Sequence, residues 1–196
     1  HRYREGEAAI AAFLDDYAFL AWGLLELYEA DFDPRWLREA AALMTTLLAQ
    51  FRTGEEGGLS FTAADAETLF LRPRETHDGA LPSGNSVALA NLVRLGLLTG
   101  ETKWAEEAEA LRRAVSGAAR RAPLGHTALL CGLDLALGPT REVVVCGERD
   151  GAATAAMLAA VRAGYAPRQV VLVKTPAHAQ ALAALAPYTR TLPTPD

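Results

Sequence analysis

One helical segment and the turn after it occur twice along this chain. Tyr17-Ala-Phe-Leu-Ala-Trp-Gly-Leu-Leu-Glu-Leu-Tyr28, followed by Trp36, returns as Asn85-Ser-Val-Ala-Leu-Ala-Asn-Leu-Val-Arg-Leu-Gly96, followed by Trp104, an offset of 68 residues. A fixed period of this length points to stacked supersecondary units that share a core and rarely stand alone.

The two halves of each repeat differ in how their apolar residues are distributed. From Leu14 to Tyr28 and from Val87 to Leu98, apolar residues occupy nearly every side of the helix, which predicts neighbours all round. Their partners, Trp36 to Phe51 and Trp104 to Val115, keep a single stripe: Trp36, Ala40, Leu43, Leu47 and Phe51, then Trp104, Ala108, Leu111 and Val115. Asp33-Pro34 and Thr99-Gly100-Glu101 supply the turns, with Pro at a first helical position and Gly after a helix end. A third inner helix is expected from Gly125 to Leu137, stopping at Gly138-Pro139. Alternating inner and outer helices describe a mainly α chain built as a partial α/α toroid, a ring of helical hairpins around a central pocket. Closing such a ring takes roughly five to seven hairpins, and two and a half are present. The inner helices are therefore expected to show apolar flanks to the missing N-terminal half of a parent protein or to a second subunit. The start at His1 rather than Met favours a C-terminal fragment.

Past Gly138-Pro139 the pattern changes. Glu142 to Gly147 reads as a buried strand, Ala152 to Ala163 as a helix, Gln169 to Lys174 as a second strand and Ala177 to Leu185 as a second helix. Two parallel strands make a very small sheet, which must lean on the helices or pair with Thr189 to Leu192. The expected division is residues 1–138, the partial toroid with a β-hairpin flap near 57–72, and residues 139–196, a small βαβα parallel unit. In the flap, Gly57 to Thr62 and Leu69 to Arg72 read as two strands around a turn at Ala64-Asp65. Asp150 in the loop Gly147-Glu-Arg-Asp-Gly151 reads as a helix cap, and Cys146 as a buried small hydrophobe.

Several function classes are excluded or disfavoured. A net charge of −5 with dispersed arginines gives no basic stripe, so nucleic acid is not an expected partner. The longest apolar stretch, Phe13 to Tyr28, is broken by Asp15, Asp16 and Glu26, so no membrane-spanning segment is expected. Cys131 and Cys146 lack C-x-x-C spacing and read as reduced, buried thiols of a cytoplasmic protein. No H-E-x-x-H, G-x-S-x-G or cysteine–histidine metal spacing occurs, and neither a metal nor a cofactor is expected.

Leu14-Asp-Asp-Tyr-Ala-Phe-Leu20, Leu27-Tyr-Glu-Ala30, Phe32-Asp-Pro-Arg-Trp-Leu37 and above all Asp78-Gly-Ala-Leu-Pro-Ser-Gly-Asn-Ser86 resemble the C-terminal half of the thioredoxin-domain-containing, spermatogenesis-associated protein family. The resemblance covers nearly the whole chain. It implies an N-terminal thioredoxin-like domain, absent here, followed by an α/α toroid similar to sugar epimerases and six-hairpin glycosidases. It implies no settled activity. His77 stands where the family suggests an aromatic residue, and Thr189 to Asp196 lacks cysteines that some relatives carry.

In a ring of hairpins the inner helices run in one direction. Their N-termini gather at one rim, where unpaired N–H groups favour anionic or hydroxyl-rich ligands. Asp15, Asp16, Tyr17, Asp78, Ser83, Asn85 and His126 are expected to converge there. Such groups bind sugar hydroxyls and move protons, so Asp16, Asp78 and His126 are the catalytic candidates, and Asp15, Tyr17, Ser83 and Asn85 the substrate-binding ones. Structural roles compete with each. Asp15, Ser83 and Asn85 could cap helices, Asp78-Gly79 could be a turn, Tyr17 could be core, and His126 a cap or surface residue. Trp22, Trp36 and Trp104 are assigned to packing. The leading expectation is a toroid that binds or processes a small carbohydrate. The alternatives are a non-catalytic module that positions the thioredoxin-like domain, and nucleotide or phosphate binding by the α/β unit.

Overall fold

The computed structural model describes residues 2–9, 11–54, 58–66 and 72–194. It opens on an antiparallel hairpin, β1 (Arg2–Arg4) and β2 (Glu7–Ala9), which the sequence reading did not anticipate. Its tight turn has Glu5 and Gly6 both at positive φ, 54° and 87°, the backbone of a two-residue hairpin loop that matches the strand twist.

Two helical hairpins follow. Helix α1 (Leu14–Asp31) ends on Phe32 in the left-handed conformation, and α2 (Pro34–Phe51) starts at once, with Asp33 capping the N–H of Arg35 and Pro34 in the first turn. Helix α3 (Gly84–Thr99) is capped by Ser83 and closed by Gly100 at φ 69°. Helix α4 (Thr102–Arg121) runs six residues beyond Val115, where its apolar stripe is expected to end. A 3-10 turn at Pro123–Gly125 then leads into α5 (Thr127–Leu137).

Helices α1, α3 and α5 lie side by side, with α2 and α4 behind them. The all-round apolar character of α3 is explained by its central place: α1 and α5 flank it, α4 packs along it and a strand of the C-terminal unit covers another side. Leu89, Leu92, Leu95 and Leu98 are fully buried there. The buried Asn91 donates its Nδ2 to the Ala18 carbonyl of α1 at 2.8 Å, fixing the axial register of the two helices. On α2 the buried stripe is Leu37, Ala40, Met44, Leu47 and Phe51. It is rotated by one residue at Trp36 and Leu43, which are only half-buried.

The C-terminal unit consists of β5 (Arg141–Cys146), α6 (Ala152–Arg162), β6 (Gln169–Lys174) and α7 (Ala179–Leu185). The strands pair in parallel, with Val143 opposite Val171 and Val145 opposite Val173. So small a sheet needs outside support. β6 packs on α3 and α7 on α2, so that Val170 to Val173 and Leu182 join the same hydrophobic cluster as the helices. Of the two supports considered for the sheet, the helices provide it. Thr189 to Leu192 adds no strand, since Pro187–Thr191 is a 3-10 helix. It is pinned instead by the buried Lys174, whose ammonium donates to the carbonyls of Thr189 at 2.9 Å and Leu192 at 2.6 Å.

Three local expectations change. Gly58–Leu59 (β4) is a strand, but it pairs with Arg52–Thr53 (β3) at the end of α2; Gly57 of the expected first strand and residues 69–71 of the expected second lie outside the described residues. Gly151, with no side-chain cap, precedes α6, and Asp150 is exposed, because the Gly147 to Gly151 turn closes through the backbone bond from Gly151 N–H to the Glu148 carbonyl. Cys131 is exposed and Cys146 half-buried. The face of α5 bearing Cys131 looks away from the core. Leu20, Leu27, Leu130 and Leu137 are also exposed on the inner helices. Among the described residues no helix is long and apolar enough to cross a membrane.

Candidate functional site

The N-termini of α1, α3 and α5 meet at one end of the layer, and the segment 72–83 threads between them. Asp78 is the hub. Its Oδ1 accepts the N–H of Ser83 at 2.9 Å and its Oδ2 the N–H of Leu129 at 3.0 Å, so one carboxylate joins the starts of α3 and α5. Burial alone would raise this carboxyl. The N–H groups of Ser83, Leu129 and Ala128 and the Ser86 hydroxyl outweigh that effect and hold it below the usual carboxylate range. Ser83 accepts the N–H of Ser86 and shares a hydroxyl contact with it at 2.8 Å.

Asn85 is fully buried and satisfied. Its Nδ2 donates to the carbonyls of Glu75 at 2.7 Å and Leu59 at 3.0 Å, and its Oδ1 accepts the Leu59 N–H. It clamps β4 (Gly58–Leu59) and the 75 segment onto α3. His126 is buried just ahead of α5. Its Nδ1 lies 2.7 Å from the Ala122 carbonyl, which can only accept, so Nδ1 carries the proton. In the neutral ring, Nε2 then accepts the Thr76 hydroxyl at 3.3 Å. The His77 ring stands edge-on to His126 at 6.0 Å.

Asp15 lies in the first turn of α1 and faces the N–H of Gly84 across the helix gap. Burial pushes its carboxyl above the usual range; the Gly84 N–H opposes this, and the nearby charges of Glu75 and Asp16 add to it. A Cβ on Gly84 would meet Asp15 Oδ1 and Leu14 Cγ, so α1 and α3 approach closely here and any larger residue would have to displace those side chains. Asp15, Asp78, Ser83, Asn85 and His126 are thus gathered at one rim. Asp16 and Tyr17 are not part of that cluster. Asp16 is exposed and accepts the Phe13 N–H at 2.8 Å ahead of α1. The Tyr17 ring turns toward α2, edge-on to Phe51 at 5.3 Å.

An open cleft starts beside this rim and runs along α1, α3 and α5. It is a cleft of ≈ 780 Å³, closed on its far side by Tyr165 to Pro167 and the start of β6. Its polar floor is a cluster that the sequence reading did not select. Arg94 of α3 donates Nη1 to Glu26 Oε1 at 2.7 Å and Nη2 to Glu29 Oε1 at 3.0 Å, both on α1. The Trp22 indole N–H donates to the same Glu26 oxygen at 2.9 Å. Trp104 is buried, as expected of a packing residue, but Trp22 is 41% exposed along the cleft. The signal was present in the sequence: Trp22, Glu26 and Glu29 stand at i, i+4 and i+7, one face of a helix. Among the described residues no three His, Cys, Asp or Glu side chains are grouped to hold a metal ion.

The fold and cleft define a class: a layer of three helices, α1, α3 and α5, backed by α2 and α4, with a largely apolar cleft that carries one charged cluster and a small parallel α/β unit closing one side. No protein-family model matches the chain. Over 162 residues it is 35% identical to human spermatogenesis-associated protein 20, a match that covers 82% of this chain and 21% of that protein. The rat protein of the same name is 36% identical, over 82% of this chain and 20% of its own length. An uncharacterised protein of Caenorhabditis elegans is 32% identical over 120 residues, 61% of this chain and 16% of its own. The chain is a homologue of part of the spermatogenesis-associated protein 20 family, consistent with a C-terminal part. It spans about a fifth of the length of the curated mammalian relatives it matches.

Proposed function

We propose that α1, α3 and α5 are the inner helices of an arc of an α/α toroid, and that the cleft along them binds a small carbohydrate. The observation that carries this reading is the composition of the cleft. An exposed indole, Trp22, stands beside two carboxylates, Glu26 and Glu29, whose orientation Arg94 fixes. An aromatic face for the apolar side of a pyranose and oriented carboxylates for its hydroxyls are the groups such a ligand needs. A volume of ≈ 780 Å³ accommodates one or two sugar rings.

The rim stands at the mouth of the cleft, since Pro82, Ser86 and Ala128 line both. Asp78, Asn85 and His126 support it there by holding the loop and helix starts in place. Of the rim carboxylates, Asp15 is the one whose protonated form burial favours, the property a proton donor needs.

A panel of monosaccharides and disaccharides, read by the melting temperature and the indole fluorescence of this chain, tests the reading. Binding sugars should raise the melting temperature, and Trp22→Phe should abolish the fluorescence change. No shift and no quenching with any sugar would count against it. Exposed Leu20, Leu27, Leu130 and Leu137 support a second reading, a non-catalytic docking module. That reading predicts no sugar response and a change in binding of the parent's other domains on Leu27→Asp.

A further inference from the structure

Among the described residues that line the cleft one is cationic, Arg94, and it is already committed. The Arg94 side chain is 13% exposed, and both terminal nitrogens are engaged, one on each of two carboxylates. Glu26 receives Arg94 and Trp22 on the same oxygen, Oε1, and Glu29 receives Arg94 on its Oε1. No described residue donates a hydrogen bond to the second oxygen of either glutamate. Asp134 lines the opposite wall and is balanced at 3.6 Å by Arg168. The described lining residues therefore offer acceptors and a surplus of negative charge, three carboxylates to one guanidinium, and no cation among them is without a carboxylate partner.

Resting on the sugar-pocket reading above, we infer that the cleft selects its ligand by charge: it prefers an amine-bearing sugar, accepts a neutral one and rejects one carrying a carboxylate or phosphate. An ammonium group can take the second oxygen of Glu26 or Glu29 and lie against the Trp22 ring, gaining both an ion pair and a cation–π contact. A ligand carboxylate could reach Arg94 only by displacing Glu26 or Glu29, which would leave a partly buried charge without its partner. Like-charge repulsion from the displaced group would add to that penalty.

Four probes on one scaffold separate the possibilities: glucosamine, glucose, glucuronic acid and glucose 6-phosphate, titrated at about pH 6.5, where the amine is protonated. Indole fluorescence and calorimetry supply the dissociation constants. Glucosamine should bind at least about tenfold more tightly than either anionic sugar, with glucose between them, and the gap should narrow as salt is raised. Glu26→Gln, which keeps a side-chain oxygen for Trp22, should weaken glucosamine more than glucose, so that the ratio of their dissociation constants moves toward one. If glucuronic acid or glucose 6-phosphate binds as tightly as glucosamine, the charge inference fails and the pocket stands. If none of the four binds at tens of millimolar, the pocket reading itself fails and takes the charge inference with it.

Discussion

Arg94 and Glu26 occupy the same position of the two repeats, 68 residues apart, and meet across the inner layer at 2.7 Å. The repeat therefore carries opposite charges at equivalent sites. Juxtaposition of α1 and α3 turns them into a pair that also orients Glu29 and, through Glu26, the Trp22 indole.

Asp78 should be the most sensitive polar position of the rim. Asp78→Ala leaves the N–H groups of Ser83 and Leu129 buried without an acceptor, an expected loss of about 2–4 kcal/mol by denaturant unfolding. Because the folded state lowers this carboxyl from its ordinary 3.8, its contribution is complete above that value and is lost as pH falls below it. Asp78→Asn should flatten the acid limb of the stability curve, and an unchanged limb would contradict the assignment.

Asp15 behaves in the opposite sense. Its carboxyl is raised in the folded state, so the native protein holds the proton more tightly than the unfolded chain and stability falls as pH rises through the folded value. Asp15→Asn keeps an oxygen for Gly84 and removes the charge. Its melting temperature should exceed that of the parent at pH 7, and the difference should vanish near pH 3, where both side chains are neutral.

Gly84→Ala separates helix propensity from close packing. Alanine gains about 1 kcal/mol over glycine inside an ordinary helix, yet at this site the added methyl meets Asp15 and Leu14. A net destabilisation of about 1–3 kcal/mol is expected. A stabilised variant would show that α1 and α3 do not approach as closely as described.

The two thiols should react at different rates. Cys131 is exposed on the cleft wall and Cys146 is half-buried at the end of β5. Titration with a chromogenic disulfide should show one fast and one slow thiol, with the fast phase absent from Cys131→Ser. A sugar bound in the cleft should slow the fast phase.

The helices and their inner or outer character were legible because each rests on residues within a few positions of one another. Pro34 and Gly100 mark their boundaries, and all-round apolarity marks α3. The rim was partly legible for the same reason: Ser83, Asn85 and His126 begin helices, and helices that run in parallel share an end. Asp16 and Tyr17 were grouped with them by the repeat offset, yet one turn of helix places Tyr17 on the α2 side and Asp16 toward solvent. Glu26 and Arg94 read singly as polar interruptions of apolar helices, and the N-terminal hairpin was too short to give a period.

The sequence alone determined the local content: where helices start and stop, which are surrounded, and that a two-stranded parallel unit follows them. Tertiary structure decided which polar groups are consumed and which line a cleft. Asp78 finds Leu129 at a separation of 51 residues, Asn85 finds Leu59 at 26 and Arg94 finds Glu29 at 65. Periodicity and capping act over one or two helical turns. Pairings at those separations exist only once the inner helices are packed side by side, because it is the packing that brings the partners within hydrogen-bonding distance.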